Sequence, residues 1–115
     1  MKYDFKRTEA KWQKIWDEEK TFKTKDDKTM PKFYGLIEFP YPSGSGLHLG
    51  HCRSYTAIDA FARKERLCGK NVLFPFGTDA FGLEAERTAI REKKLPQEIV
   101  ARNIETFHSQ LKSIG

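Results

Sequence analysis

The sequence predicts an α/β fold: part of a Rossmann-like nucleotide-binding fold, with a parallel βαβ unit between N-terminal and C-terminal helices. Three observations predict it. Two short apolar runs, FYGLIEF at 33–39 and NVLFPF at 71–76, read as buried strands. A long helical pattern from about Leu47 to Leu67 lies between them, and a crossover of that length implies a parallel, right-handed pair. Each run is followed by a glycine-containing loop, PYPSGSGLHLGH and then GTDAFG. In a parallel pair the two loops share one rim, where open α/β sheets bind ligands.

The elements follow in chain order. Residues 4–20, DFKRTEAKWQKIWDEEK, place Phe5, Thr8, Trp12, Ile15 and Trp16 on one helical face. KTKDDKTMPK, 23–32, has no periodicity and reads as a solvated loop. PYPSGSG, 40–46, ends the first strand with prolines, serines and glycines. The long helix mixes apolar and basic positions, and Gly69 is placed to stop it. Pro75 belongs near the end of the second strand. A helical stretch follows from about Phe81 to Lys93, and another opens with Pro96 at its first position. The inner face of that last helix is expected to hold Ile99, Val100, Ile104, Phe107 and Leu111.

Composition sets the limits. A chain of 115 residues, 38% hydrophobic, forms one domain or a piece of a larger one. Three parts are expected: residues 1–32, a helix and loop; 33–76, the βαβ unit; and 77–115, the second loop and helices. Two strands alone leave sheet edges bare, so more polypeptide or a complementary subunit is expected to complete the sheet. The net charge of +5 is compatible with phosphate or nucleic acid. Cys52 and Cys68 are not in a CxxC pair and read as reduced thiols. No apolar run approaches the roughly 18 residues of a membrane span. The start, MKYDFKRTEAKWQ, lacks the apolar core of a signal peptide. A soluble, cytoplasmic protein without a membrane partner is therefore expected.

His48-Leu49-Gly50-His51 stands where the glycine loop turns into the helix. Three readings are open: a metal site, a phosphate site, or two solvated histidines. The metal reading lacks ligands, because His48, His51 and Cys52 fall short of a structural zinc set and of the metalloprotease spacing. The phosphate reading draws on more of the sequence. Gly44 and Gly46 let the backbone turn tightly and approach a ligand. The helix start offers free N–H groups and a positive dipole end to an anion. Imidazole N–H groups one turn apart could bond phosphate oxygens, and Gly50 leaves room for a flat ring against the helix. In the second loop, Asp79 between Gly77 and Gly82 could accept from an ammonium or hydroxyl. It could equally be a helix N-cap, a role Thr78 could also fill.

FPYPSGSGLHLGHCRSYTAIDAFAR, 39–63, resembles the first signature region of class I aminoacyl-tRNA synthetases, where the motif reads His-Ile-Gly-His. The flanking Tyr-Pro-Ser-Gly and Arg-x-Tyr-Thr are similar to the leucine branch of that family rather than its isoleucine, valine or methionine branches. GTDAFGLEAE, 77–86, resembles that branch's Gly-Trp-Asp-Ala-Phe-Gly-Leu-Pro-Ala-Glu, and EAKWQKIWDEE, 9–19, its N-terminal helix. Thr78 stands where the family usually has Trp, and Glu84 where it usually has Pro. The family's Lys-Met-Ser-Lys-Ser loop, editing domain and anticodon-binding domain have no counterpart in these residues.

The resemblance implies the N-terminal segment of a catalytic domain that activates leucine with ATP, accompanied by Mg²⁺, and transfers it to tRNA(Leu). It implies that His48 and His51 act on the ATP phosphates, with Gly46 and Gly50 beside the nucleotide and Gly50 under the adenine. It implies that Asp79 holds the leucine ammonium group, and that Phe39 and Tyr41 line the leucine side. No dedicated metal-ligand set is expected. The remainder of the synthetase is implied as a partner, whether the chain is a truncated piece, a split subunit or an incomplete gene product. Two other readings are kept. One is a small nucleotidylyltransferase, a class that shares an HxGH turn. The other is a non-catalytic tRNA- or partner-binding module using the basic face at Arg53, Arg63, Lys64 and Arg66.

Overall fold

In the computed structural model, which describes residues 3–44 and 46–115, the elements come in the predicted order. Met1, Lys2 and Ser45 lie outside the described residues. This leaves out the first two residues of the stretch read against a signal peptide, and one serine of the glycine loop.

Helix α1 spans Phe5–Glu19 and is capped by the Asp4 side chain, which accepts the Arg7 N–H at 3.1 Å. Its apolar face is only partly covered: Phe5 and Trp12 keep 53% and 45% of their surface exposed. Trp16 does the anchoring. It meets the Phe22 ring edge-on at 5.4 Å, and the Arg63 guanidinium lies over both rings, at 4.9 and 4.6 Å.

Strand β1, Lys32–Tyr34, pairs in parallel with β2, Asn71–Leu73, matching Phe33 with Val72. Both strands are shorter than the 33–39 and 71–76 expected. The hydrogen-bond phase explains why. Asn71 donates to Pro31 at 2.8 Å and Gly35 donates to Leu73 at 2.9 Å. The next donor position on β2 after Leu73 is Pro75, which has no N–H to give. Beyond it the two segments are joined again only at the rim, where Asp79 N–H donates to the Pro40 carbonyl at 3.0 Å. The strands were also expected to be buried. Val72 is, but Tyr34, Leu36 and Leu73 are largely exposed, because a sheet of two strands has no inner strand to cover.

Helix α2, Leu49–Leu67, forms the crossover. It ends as predicted at Gly69, whose φ of +80° suits glycine. The Gly69 and Lys70 N–H groups turn back to the carbonyls of Arg66 and Glu65, satisfying two end carbonyls. Helix α3 spans Leu83–Glu92 and begins two residues later than expected, with Gly82 as N-cap. Glu84 lies in its first turn, where a proline would fit and an acidic side chain also suits the helix dipole. Helix α4, Pro96–Ser113, has Pro96 in its first turn.

The core lies between α3 and α4, where Ala85, Ala89, Ile99 and Phe107 are buried, and under α2, where Tyr55 and Ala62 are buried near Val72. Val100, Ile104 and Leu111 are half-buried. The radius of gyration is 17.1 Å, against roughly 13 Å for a compact domain of this length. The molecule is open, and a wide cavity opens at the rim carrying both loops.

Candidate active site

The local sequence positions the histidines by a mutual cap. His48 is the N-cap of α2, one position outside the helix rather than in its first turn, and His51 is the third helical residue. The His51 N–H donates to His48 Nδ1 and the His48 N–H donates to His51 Nδ1, each at 3.3 Å. The geometry is a capping box with imidazoles in place of the usual hydroxyl and carboxamide. The rings stack with centroids 3.6 Å apart and planes 17° apart. Because each Nδ1 is an acceptor, each neutral ring carries its proton on Nε2. Both N–H donors are thereby left for a ligand.

Gly50 makes the stack possible. A Cβ there would come within 2.9 Å of the His48 ring. The flat ring that packs against the helix at this glycine is the chain's own His48. The Leu49 and Gly50 N–H groups occupy the first two helical positions, which have no intrahelical acceptor.

Tyr55, one turn further on, lies parallel to His51 at 5.4 Å and donates its hydroxyl to the Glu38 carbonyl at 3.1 Å. Its burial and the Glu38 carboxylate push its phenol up. Burial, then the neighbouring His48, hold the His51 imidazole below its usual value, with Glu38 acting the other way. The fold therefore favours neutral His51.

One cavity of about 1020 Å³ opens at this rim, and His51, Asp79, Phe39, Tyr41, Thr78 and Tyr55 are among its lining. Four of the residues singled out from the sequence thus meet around one space. Asp79 is not a helix cap, since α3 starts at Leu83. Thr78, the departure from the family pattern, is part of the cavity wall. Phe39 packs on Gly77, where a Cβ would lie 2.9 Å from the ring, and approaches Phe76 at 6.4 Å. His48, Gly46 and Gly50 sit beside the cavity at the start of α2 rather than lining it.

Helices α3 and α4 hold the first loop from behind, which the sequence did not reveal. Asn103, buried on the inner face of α4, donates to the Pro42 carbonyl at 2.8 Å. Gln110 accepts the Leu47 N–H at 2.8 Å, and its amide fills the space where Gly46 would carry a Cβ. Thr88 reaches the Ser43 carbonyl at 3.4 Å. The only available signal was a polar residue, Asn103, within an apolar helical stripe.

Among the described residues, no group of three or more His, Cys, Asp or Glu side chains comes together to hold a metal ion. Cys52 and Cys68 are free thiols. Among the described residues, no helix is long and apolar enough to cross a membrane.

A crossover helix that begins with a glycine-rich turn at the rim of a parallel pair is the opening unit of a Rossmann-like nucleotide-binding fold. The chain belongs to the class I tRNA synthetase family: the profile described as tRNA synthetases class I (M) matches residues 36–115. It is 53% identical over its whole length to the leucine–tRNA ligase of Pelodictyon phaeoclathratiforme and 52% identical over 98% of its length to that of Alkaliphilus oremlandii. In each case it spans 14% of the relative. The structure superposes on 14% of the LeuRS of Agrobacterium radiobacter K84, solved as a ternary complex with tRNA and LeuAMS. That match has a TM-score of 0.88, covers 96% of the chain, and shows 37% identity.

Proposed function

We propose that this chain is the first part of the catalytic domain of a leucine–tRNA ligase and supplies half of the site that activates leucine. The observation that carries this reading is the shared cavity: His51, beside its capping partner His48, and Asp79 face one space walled by Phe39 and Tyr41. The leucine–tRNA ligase relatives and the LeuRS–tRNA–LeuAMS neighbour support leucine, ATP and tRNA(Leu) as substrates.

In this reading the leucine carboxylate attacks the α-phosphorus of ATP. The bond to the bridging oxygen breaks, leaving leucyl-adenylate and pyrophosphate. The leucyl group then passes to the terminal adenosine of the tRNA. No protein nucleophile takes part, so the chain contributes position and charge stabilisation. The Nε2–H groups of His48 and His51, the free N–H groups at the start of α2 and the helix dipole meet the phosphate oxygens. Gly46 and Gly50 act at one remove: they make room for the Gln110 amide and the His48 ring, which hold the turn and the imidazole donors in place. Asp79 holds the leucine ammonium group, and Phe39 and Tyr41 border the side chain. Mg²⁺ would accompany ATP and offset charge on its phosphates, without a dedicated carboxylate cage from this chain.

The test is leucine-dependent pyrophosphate exchange in a full-length ligase carrying this segment. A His48→Ala, His51→Ala double variant is expected to lose exchange while leucine binding persists. Normal exchange by that variant would remove the phosphate role.

A further inference from the structure

At the opposite end of the parallel pair lies a smaller cavity of about 170 Å³. It sits where β2 begins. Lys23, Lys25, Arg66 and Lys70 line it with Asn71 and Met30, and no carboxylate does. Three of the nearby acids, Glu65, Asp59 and Asp27, already have partners. Glu65 is buried and taken by Lys64 and Lys70. Asp59 pairs with Arg63 at 2.7 Å. Asp27 accepts both the N–H and the hydroxyl of Thr29. Among the described residues, Lys23, Lys25 and Arg66 have no carboxylate partner within 4.0 Å.

The lysines are carried on a fastened segment. Asn71 accepts the Lys25 N–H at 3.0 Å and donates to the Lys25 carbonyl at 2.7 Å. Thr24, between the two lysines, donates to the Val72 carbonyl at 2.8 Å. Arg66 is half-buried and gives one N–H to the Phe22 carbonyl at 3.2 Å, leaving other donors of its fork. Burial pulls its guanidinium down more strongly than Asp59 raises it. A partly desolvated cation without a counter-ion gains from an anion brought to it.

We infer that Lys23, Lys25 and Arg66, beside the Glu65-paired Lys70, form a second phosphate-group site, at the rim opposite the leucine-activating cavity. The group recognised is a phosphate oxyanion, either of a free phosphate compound or of an RNA backbone. The inference does not depend on the function proposed for the larger cavity.

The experiment titrates the 115-residue chain with pyrophosphate and, separately, with a short single-stranded RNA of unrelated sequence, reading amide shifts and affinity. Shifts at Lys23, Lys25, Arg66 and Lys70 are expected with at least one probe. A Lys23→Ala, Lys25→Ala double variant, changing only exposed side chains, should weaken that binding about tenfold. Shifts at Lys23, Lys25 and Arg66 should saturate at a different concentration from any at residues 46–52, which separates this site from the other cavity. Saturation by pyrophosphate alone assigns a free phosphate compound. Tighter, strongly salt-dependent binding of RNA assigns a backbone phosphate. The inference is overturned if neither probe binds, if the lysine variant binds as well as the parent, or if the shifts are confined to residues 46–52.

Discussion

The backbone N–H groups of His48 and His51 are each bound by the other residue's ring nitrogen, so in the neutral form each ring carries its proton on Nε2. The arrangement joins fold to chemistry: the contact that starts the helix also aims the two donors.

Cap and donor can be separated. His48→Ser keeps an N-cap of comparable quality and is expected to change stability by less than about 1 kcal/mol. It loses the outward imidazole donor. Leucine-dependent pyrophosphate exchange in the full-length ligase should fall by about a hundredfold or more. Imidazole ¹⁵N spectra of the parent chain should show the neutral form of each ring as the Nε2–H tautomer, with Nδ1 bare.

Stability should depend on pH through His51. Its imidazole is held below the usual value by burial first and by His48 second. As pH falls through about 6.5, the unfolded chain takes up its proton before the folded chain does. The contribution from neutral His51 is thus fully present above that pH and declines as pH drops toward the folded value. Thermal melts from about pH 7.5 to about pH 5 should show a falling midpoint. His51→Gln should remove part of the slope.

Asn103 supports the first loop from α4. Asn103→Leu keeps the branched side-chain shape but leaves the Pro42 carbonyl without its buried donor. It is expected to cost about 1–3 kcal/mol, measured by urea denaturation. Amide exchange should accelerate in residues 41–47 before it does in α2.

Gly77 governs the Phe39 wall. Gly77→Ala would set a Cβ 2.9 Å from that ring, so the ring must turn into the cavity or the loop must move. In the full-length ligase, KM for leucine should rise more than KM for ATP. Equal changes in both would place Phe39 away from the amino acid.

Much of this architecture was legible because it is encoded locally. The apolar spacing of residues 4–20 and the proline at 96 marked helices that the structure contains, within one or two residues. Gly69 marked the end of α2 because a left-handed position suits a residue without Cβ. The strands were overextended because apolar runs reveal burial tendency but not hydrogen-bond phase. Only the register shows that Pro75 falls at a donor position. The expected burial of those runs failed for a related reason, since covering a strand requires neighbours that two strands cannot provide.

By itself the sequence determined the order of elements, the glycine-to-helix turn, and the residue types able to meet a phosphate and an ammonium group. These follow from dihedral preferences, capping and periodicity, all acting within a few residues. Tertiary structure alone decided that His51 and Asp79 share a cavity, that His48 packs on Gly50, and that Asn103 holds Pro42 from 61 positions away. Such contacts depend on how whole helices pack, and packing is a property of the assembled chain rather than of any stretch of it.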